Sequence, residues 1–85
     1  MKRRSGIFLM MHIVELLIQE PRGPSRLAQA ANLNYKKCDE YLAVLLGSQL
    51  VGVEVSEGHE TYFATLKGKD VFLRWERIFE DLKLP

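Results

Sequence analysis

The sequence predicts a mainly α-helical domain with one small β-hairpin, an α+β chain. Three observations carry this prediction. Apolar residues recur at helical spacing through residues 6–20, 25–31, 35–48 and 66–82. Between the third and fourth of these stretches the period drops from about 3.6 to about 2. Finally, a chain of 85 residues holds one thin core, burying about 60–65% of the surface its unfolded form exposes.

The first helix runs from Gly6 to Glu20. Wound at about 100° per residue, it places His12, Glu15 and Gln19 on one stripe and Ile7, Met10, Met11, Val14, Leu17 and Ile18 opposite. Leu16 borders the polar stripe and Phe8 intrudes into it. The apolar arc is wider than a surface helix needs, so this helix is expected to be covered from more than one direction. It stops at Glu20-Pro21, because proline disfavours helix in the residue before it and has no N–H. Lys2-Arg3-Arg4 ahead of this apolar run resembles the opening of a secretory signal. His12 and Glu15 break the run, however, and no small-residue cleavage site follows. It also falls short of the ~20 apolar residues that span a bilayer. The expectation is the first helix of a cytoplasmic protein with no membrane partner.

Pro21-Arg22-Gly23 reads as a turn or a short strand stub. Pro24 or Ser25 opens a second helix that ends at Ala31, with Leu27, Ala30 and Ala31 as its apolar face. Asn32-Leu33-Asn34 is a tight turn, and Asn34 suits the N-cap of a third helix, Tyr35 to about Ser48. There Cys38, Tyr41, Leu42, Leu45 and Leu46 share one face. Lys36, Asp39, Glu40, Ala43 and Gly47 share the other, with Lys37 and Val44 on its flank. Residues 50–55 and 61–64 are β-rich, and residues 56–60 form the loop between them. Thr65 caps a final helix, Leu66 to Leu82.

The composition excludes several functions. Hydrophobic residues make up 47% of the chain, enough to offset ordering entropy, so disorder is not expected. One cysteine and two histidines exclude a disulfide framework and a multi-cysteine metal site. No nucleophile stands in a His–carboxylate setting, no glycine-rich phosphate loop follows a strand, and the core is too thin for an enclosed pocket. Neither an enzyme, a metal nor a cofactor is expected. The charge is divided between the halves. Residues 1–37 carry seven cations and two anions, net +5, and residues 38–85 carry five cations and nine anions, net −4. The first half is the one suited to face an anionic partner.

Three helices, a hairpin and a fourth helix, with a short turn between the second and third, are the winged helix-turn-helix plan. Particular residues extend the likeness. Gly23-Pro24-Ser25-Arg26-Leu27, Ala31-Asn32-Leu33-Asn34-Tyr35-Lys36, Tyr41-Leu42-x-x-Leu45 and Leu50-Val51 resemble the archaeal family of small winged-helix DNA-binding proteins. Thr65-Leu66-Lys67-Gly68-Lys69 is similar to that family's lead-in to the last helix. The resemblance covers about residues 5–80. It implies a third helix that reads duplex DNA, a hairpin wing near the DNA backbone, and dimerisation through the last helix. It thus implies a homodimeric, chromosome-associated transcriptional regulator or architectural chromatin protein. The rival reading is a winged helix used only for protein–protein contact. On this plan residues 1–85 are one domain, with the helix-turn-helix and wing in 5–64 and the dimerisation helix in 65–83. Two features depart from the family pattern. Gln49 stands where such proteins usually place glycine, and the wing carries Glu57 and Glu60 with no lysine or arginine, so it repels phosphate.

The candidate DNA-binding residues follow. Asn34, Tyr35, Lys36 and Lys37 begin the third helix, whose first turns would reach base edges; the bland alternative is a solvated amphipathic face. Lys2, Arg3 and Arg4 form either a basic arm for the minor groove or backbone, or a solubility device. Ser25 and Arg26 start the second helix, where free N–H groups favour anions; otherwise they are a cap and a surface arginine. Lys67 and Lys69 are secondary candidates. His59 at the wing tip is a phosphate contact when protonated, or a bare turn residue. His12 is a polar-face residue, and Cys38 a small buried hydrophobe. On the last helix Val71, Phe72, Trp75, Ile78, Phe79 and Leu82 share one stripe, three of them aromatic. Val71, Trp75, Ile78 and Leu82 follow the seam rhythm of a coiled coil. With Phe8, this stripe is the candidate dimer interface; the alternative is a last helix folded back onto its own first helix.

Overall fold

The computed structural model describes residues 6–82. Its elements are α1 (Gly6–Gln19), α2 (Pro24–Ala31), α3 (Tyr35–Gly47), β1 (Val51–Ser56), β2 (His59–Ala64) and α4 (Leu66–Leu82). The winged helix-turn-helix plan expected from the sequence is the fold observed.

α1 is the central element. Leu9, Met11, Ile13, Val14, Leu16 and Leu17 are all buried on it, under α2, α3, β2 and α4. The wide apolar arc was therefore a correct signal, but its membership changes. Leu9 and Ile13 join the core, while Ile7 is exposed, because a helix covered on several sides has no single apolar face. Only a narrow strip meets solvent, where His12 Nδ1 lies 3.7 Å from Glu15 Oε1. Leu27, Ala28 and Ala31 of α2 and Cys38, Leu42 and Leu45 of α3 complete the core with Val51 and Tyr62. Full burial of each large aliphatic side chain contributes about 1.5–3 kcal/mol. On α2, Ala28 is buried and Ala30 exposed, the reverse of the expectation for Ala30, because α3, α1 and β2 pack on the side of Leu27, Ala28 and Ala31; the helix starts at Pro24. Ser25 is accordingly an exposed second helical residue, and Gly23 is the N-cap, with no side-chain cap.

The turns after α2 and α3 use left-handed residues other than glycine. Asn32 (φ 59°) follows α2, and the amides of Asn32 and Leu33 donate to the carbonyls of Gln29 and Ala28. Gln49 (φ 64°) follows α3, and the amides of Gln49 and Leu50 donate to Leu46 and Leu45. This paired bonding satisfies the last free carbonyls of each helix. Gln49 thus occupies the conformation that glycine favours, as the departure at this position suggested. A side chain in that conformation costs about 1–2 kcal/mol relative to glycine. Gln49→Gly should therefore raise the unfolding free energy by up to about 1 kcal/mol, read by urea denaturation; a loss of stability would contradict this account of the turn.

β1 and β2 pair antiparallel from Val51↔Ala64 to Ser56↔His59. The turn is only Glu57-Gly58, with φ of 52° and 78°, the two positive values a tight two-residue hairpin requires. The expected five-residue loop is therefore too long: His59 and Glu60 belong to β2. Arg22 forms a third-strand stub, exchanging backbone hydrogen bonds with Tyr62 at 3.1 and 2.8 Å. Its guanidinium donates through Nε to the Leu16 carbonyl (3.3 Å) and pairs through Nη1 with Glu20 (3.5 Å). A cation at the end of α1 complements the helix dipole, so Arg22 is a structural cation.

The last helix is bolted on at its start. Thr65 Oγ1 accepts from the Gly68 amide (2.9 Å) and donates to the Gln49 carbonyl (2.7 Å), and Lys67 Nζ donates to the Ser48 carbonyl (3.0 Å). Gly68 is buried against the Leu50 backbone. Val71, Phe72 and Trp75 then pack on the core. Phe8 meets Trp75 and Phe79 edge-on, with ring centres 5.1 and 5.7 Å apart.

Candidate nucleic-acid interface

The start of α3 is a well-formed helix end. Asn34 Oδ1 accepts from the Lys37 amide at 2.7 Å, the cap its sequence position predicts. The next residues divide cleanly. Cys38, Leu42 and Leu45 point into the core, and Tyr35, Lys36, Lys37, Asp39, Glu40, Ala43, Val44 and Gly47 are exposed. The outer surface of α3 is thus free for a partner, and at Ala43 and Gly47 it is low enough for close approach.

The flanks of α3 are supplied by distant parts of the chain. On one side the start of α1 lies against α3, with Gly6 beside the Tyr41 ring. The Lys2-Arg3-Arg4 candidates immediately precede this point and lie outside the described residues. On the other side stands the hairpin. Tyr62 is buried there, and its hydroxyl donates to Glu60 Oε1 at 3.1 Å. Burial pushes its hydroxyl up to about 12, helped by the Glu60 hydrogen bond and charge and by the nearby charge of Asp39. Tyr62 therefore stays protonated as a donor that ties Glu60 to the base of the wing. Sequence reasoning read Tyr62 as a strand residue only; its neighbour Glu60, two positions away on the same face, was the available signal.

Electrostatically the surface is mixed. Lys37 Nζ sits 3.4 Å from Glu40 Oε1 and 5.9 Å from the centre of the Tyr41 ring. Arg26 and Lys36 make no ion pair with a described residue. Ser25 and Arg26 sit at the uncapped start of α2, across an open groove from Gly58, His59 and Thr61. The structure therefore brings the α2 start to the wing, not to a bare surface. Lys67 and Lys69 lie on α4, Lys67 held by its bond to Ser48.

Cys38 is buried, and burial, then the charge of Asp39, pushes its thiol up. It is an inert core residue. Among the described residues no group of three His, Cys, Asp or Glu side chains could hold a metal ion. Nor is any described helix long and apolar enough to cross a membrane.

The candidate dimer stripe is split. Val71, Phe72 and Trp75 pack against their own chain, as the folded-back alternative anticipated. Every residue from Glu76 to Leu82 is exposed, including Ile78 at 55%, Phe79 at 49% and Leu82 at 71%. Trp75 and Phe79 stack at 6.2 Å and 20°, so the apolar stripe runs continuously from the core out onto the free half of the helix.

The family model described as winged helix-turn-helix matches residues 3–83. Among solved structures the chain is similar to the transcriptional regulator BldR from Sulfolobus solfataricus, with a TM-score of 0.80 and 20% identity over 88% of this chain. It spans 56% of the length of that protein. It is also similar to the homodimeric winged helix-turn-helix DNA-binding domain of a possible ArsR-family transcriptional regulator from Mycobacterium bovis (TM-score 0.77, 19% identity, 87% of this chain and 69% of that one). A third likeness is to Sso10a-2, a DNA-binding protein from Sulfolobus solfataricus (TM-score 0.66, 18% identity, 98% of this chain and 100% of that one). At these identities the likeness is one of fold. Among curated proteins none matches the sequence.

Proposed function

The chain belongs to the winged helix-turn-helix family, and on that premise we propose that it binds double-stranded DNA as a homodimer and acts as a transcriptional regulator. The observation that carries this reading is the outer surface of α3. It is capped by Asn34, presents Lys36 and Lys37 in its first turn, and is held clear of the core between the hairpin and the start of α1. A helix so presented fits the major groove, with its first turns at the base edges. Arg26 at the start of α2, and the arm Lys2-Arg3-Arg4, are the backbone contacts. This partner implies a place on the chromosome, in the cytoplasm. Likeness over the full length of Sso10a-2 supports the archaeal type of small winged helix. Residues 65–83 serve as the dimerisation helix, and the homodimeric Mycobacterium domain supports that assembly. The chemistry needs no cofactor and no catalytic group.

A second reading, a winged helix used only for protein contact, draws on the wing. Glu57 is at its tip, Glu60 is tied to Tyr62, and Val55 beside them is exposed. One comparison separates the two. Lys36→Ala with Lys37→Ala should weaken duplex binding at least about tenfold. Glu57→Ala should leave binding unchanged or strengthen it by removing repulsion, and it spares the Tyr62–Glu60 bond. A double lysine variant that binds duplex like the parent removes α3 as the reader.

A further inference from the structure

The outer surface of α3 carries four charged side chains, and two of them neutralise each other. Lys37 and Glu40 are paired at 3.4 Å. Lys36 and Asp39 make neither an ion pair nor a hydrogen bond with any described residue. They stand at i and i+3 in the first turns of the helix, on one side of it, with the small exposed side chain of Ala43 next along that side.

A free carboxylate here lowers affinity for every duplex, because phosphate repels it. Only a donor on the partner offsets that repulsion. In the major groove the donors are the exocyclic amines, N4 of cytosine and N6 of adenine. A carboxylate is acceptor-only, and at adenine the N7 acceptor lies beside N6 and opposes it. Cytosine N4 has no such neighbour. A lysine is donor-only, and guanine offers two acceptors, O6 and N7. One G·C pair therefore presents in one groove both groups that these two side chains lack.

We infer that Lys36 and Asp39 together select a half-site containing G·C, with Lys36 donating to guanine and Asp39 accepting from cytosine N4. The inference rests on the DNA-binding reading above and adds its base preference. Asp39 then sacrifices general affinity for discrimination, and the acidic wing acts in the same direction.

The test is selection from a pool of randomised duplexes by the full chain, followed by affinity measurements on the enriched duplex and on versions with single G·C to A·T changes. The parent should enrich G·C and lose about tenfold or more at the pair that Asp39 reads. Asp39→Ala should lower that ratio to what Lys36 alone contributes at guanine, while binding random duplex as well as the parent or better. Asp39→Asn should move the preferred base from cytosine to adenine, because an amide accepts from N6 and donates to N7. If Asp39→Ala keeps the same enriched site with the same ratio, or if the parent enriches only A·T pairs, the base preference is overturned and duplex binding stands. If the parent binds no duplex at all, the DNA-binding reading falls and this inference with it.

Discussion

Gly68→Ala is expected to destabilise the domain by about 2–4 kcal/mol, combining overpacking with a weakened cap. A Cβ at this position would run into the Leu50 carbonyl oxygen and lie 3.0 Å from its carbon. The clash is with backbone, not with the far end of a flexible chain, so relief requires α4 to move away from the end of α3. That movement strains four other contacts in the same joint: Gly68 N to Thr65 Oγ1, Thr65 Oγ1 to Gln49, Thr65 N to Leu50, and Lys67 to Ser48. For a domain of this size each kcal/mol moves the melting temperature by about 4–8 °C, so thermal unfolding should fall by at least about 10 °C. Gly47→Ala is the matched control. A Cβ there meets nothing within 4 Å, and exchanging glycine for alanine in a helix gains up to about 1 kcal/mol. If the two variants melt alike, the docking of α4 on Leu50 is not the constraint described.

On the proposed homodimer, Ile78→Glu is expected to leave a monomer and weaken duplex binding by about a hundredfold or more, the avidity lost when two linked half-sites become one. The structure makes Ile78 a cleaner probe than Trp75. Trp75 packs against Phe8 of its own chain, so Trp75→Glu damages the monomer as well. Ile78 is 55% exposed and is not among the residues packed on the core. It continues the seam begun by Val71 and Trp75 onto a stretch of α4 with no core beneath it, in a molecule 49 Å long and only 20 Å thick. Ile78 and Leu82, exposed toward the free end of the helix beside a half-exposed Phe79 that packs on Phe8, are the kind of patch that a second subunit covers. Sedimentation at micromolar concentration checks the assembly, with helix content as the control for folding. A parent chain that sediments as a monomer throughout that range would leave the stripe as a surface of its own chain and contradict the dimer.

Features that depend on local spacing were legible in the sequence. Asn34 and Thr65 cap their helices because a short side-chain oxygen at that offset reaches a free amide, a relation contained within four residues. The division of α3 between Cys38, Leu42 and Leu45 inside and Lys36, Asp39 and Ala43 outside follows from its period alone. Gln49 was marked by the glycine expected there, and the backbone takes glycine's conformation without it.

What was missed depends on contacts across the chain. The burial of Leu9 and Ile13 needs the other elements packed around α1. Arg22, counted among the anion-facing cations, is bound to the Leu16 carbonyl and to Glu20, because a strand stub brings it to the end of α1. The hairpin turn is shorter than expected because Glu57 accepts a positive φ beside Gly58, and no composition rule favours glutamate there. Of the candidate site, the split of the α3 charges into a paired Lys37–Glu40 and an unpaired Lys36 and Asp39 emerges only with side chains in place.

Duplex binding as a function of salt tests the central claim most directly. Affinity of the full chain for a random duplex, measured at several salt concentrations, should fall linearly in log–log form, with a slope of about −0.9 per phosphate contacted. Lys36→Ala with Lys37→Ala should make that slope shallower. A folded parent chain with no measurable affinity for any duplex at low salt would contradict the DNA-binding account and leave the protein-contact reading in its place.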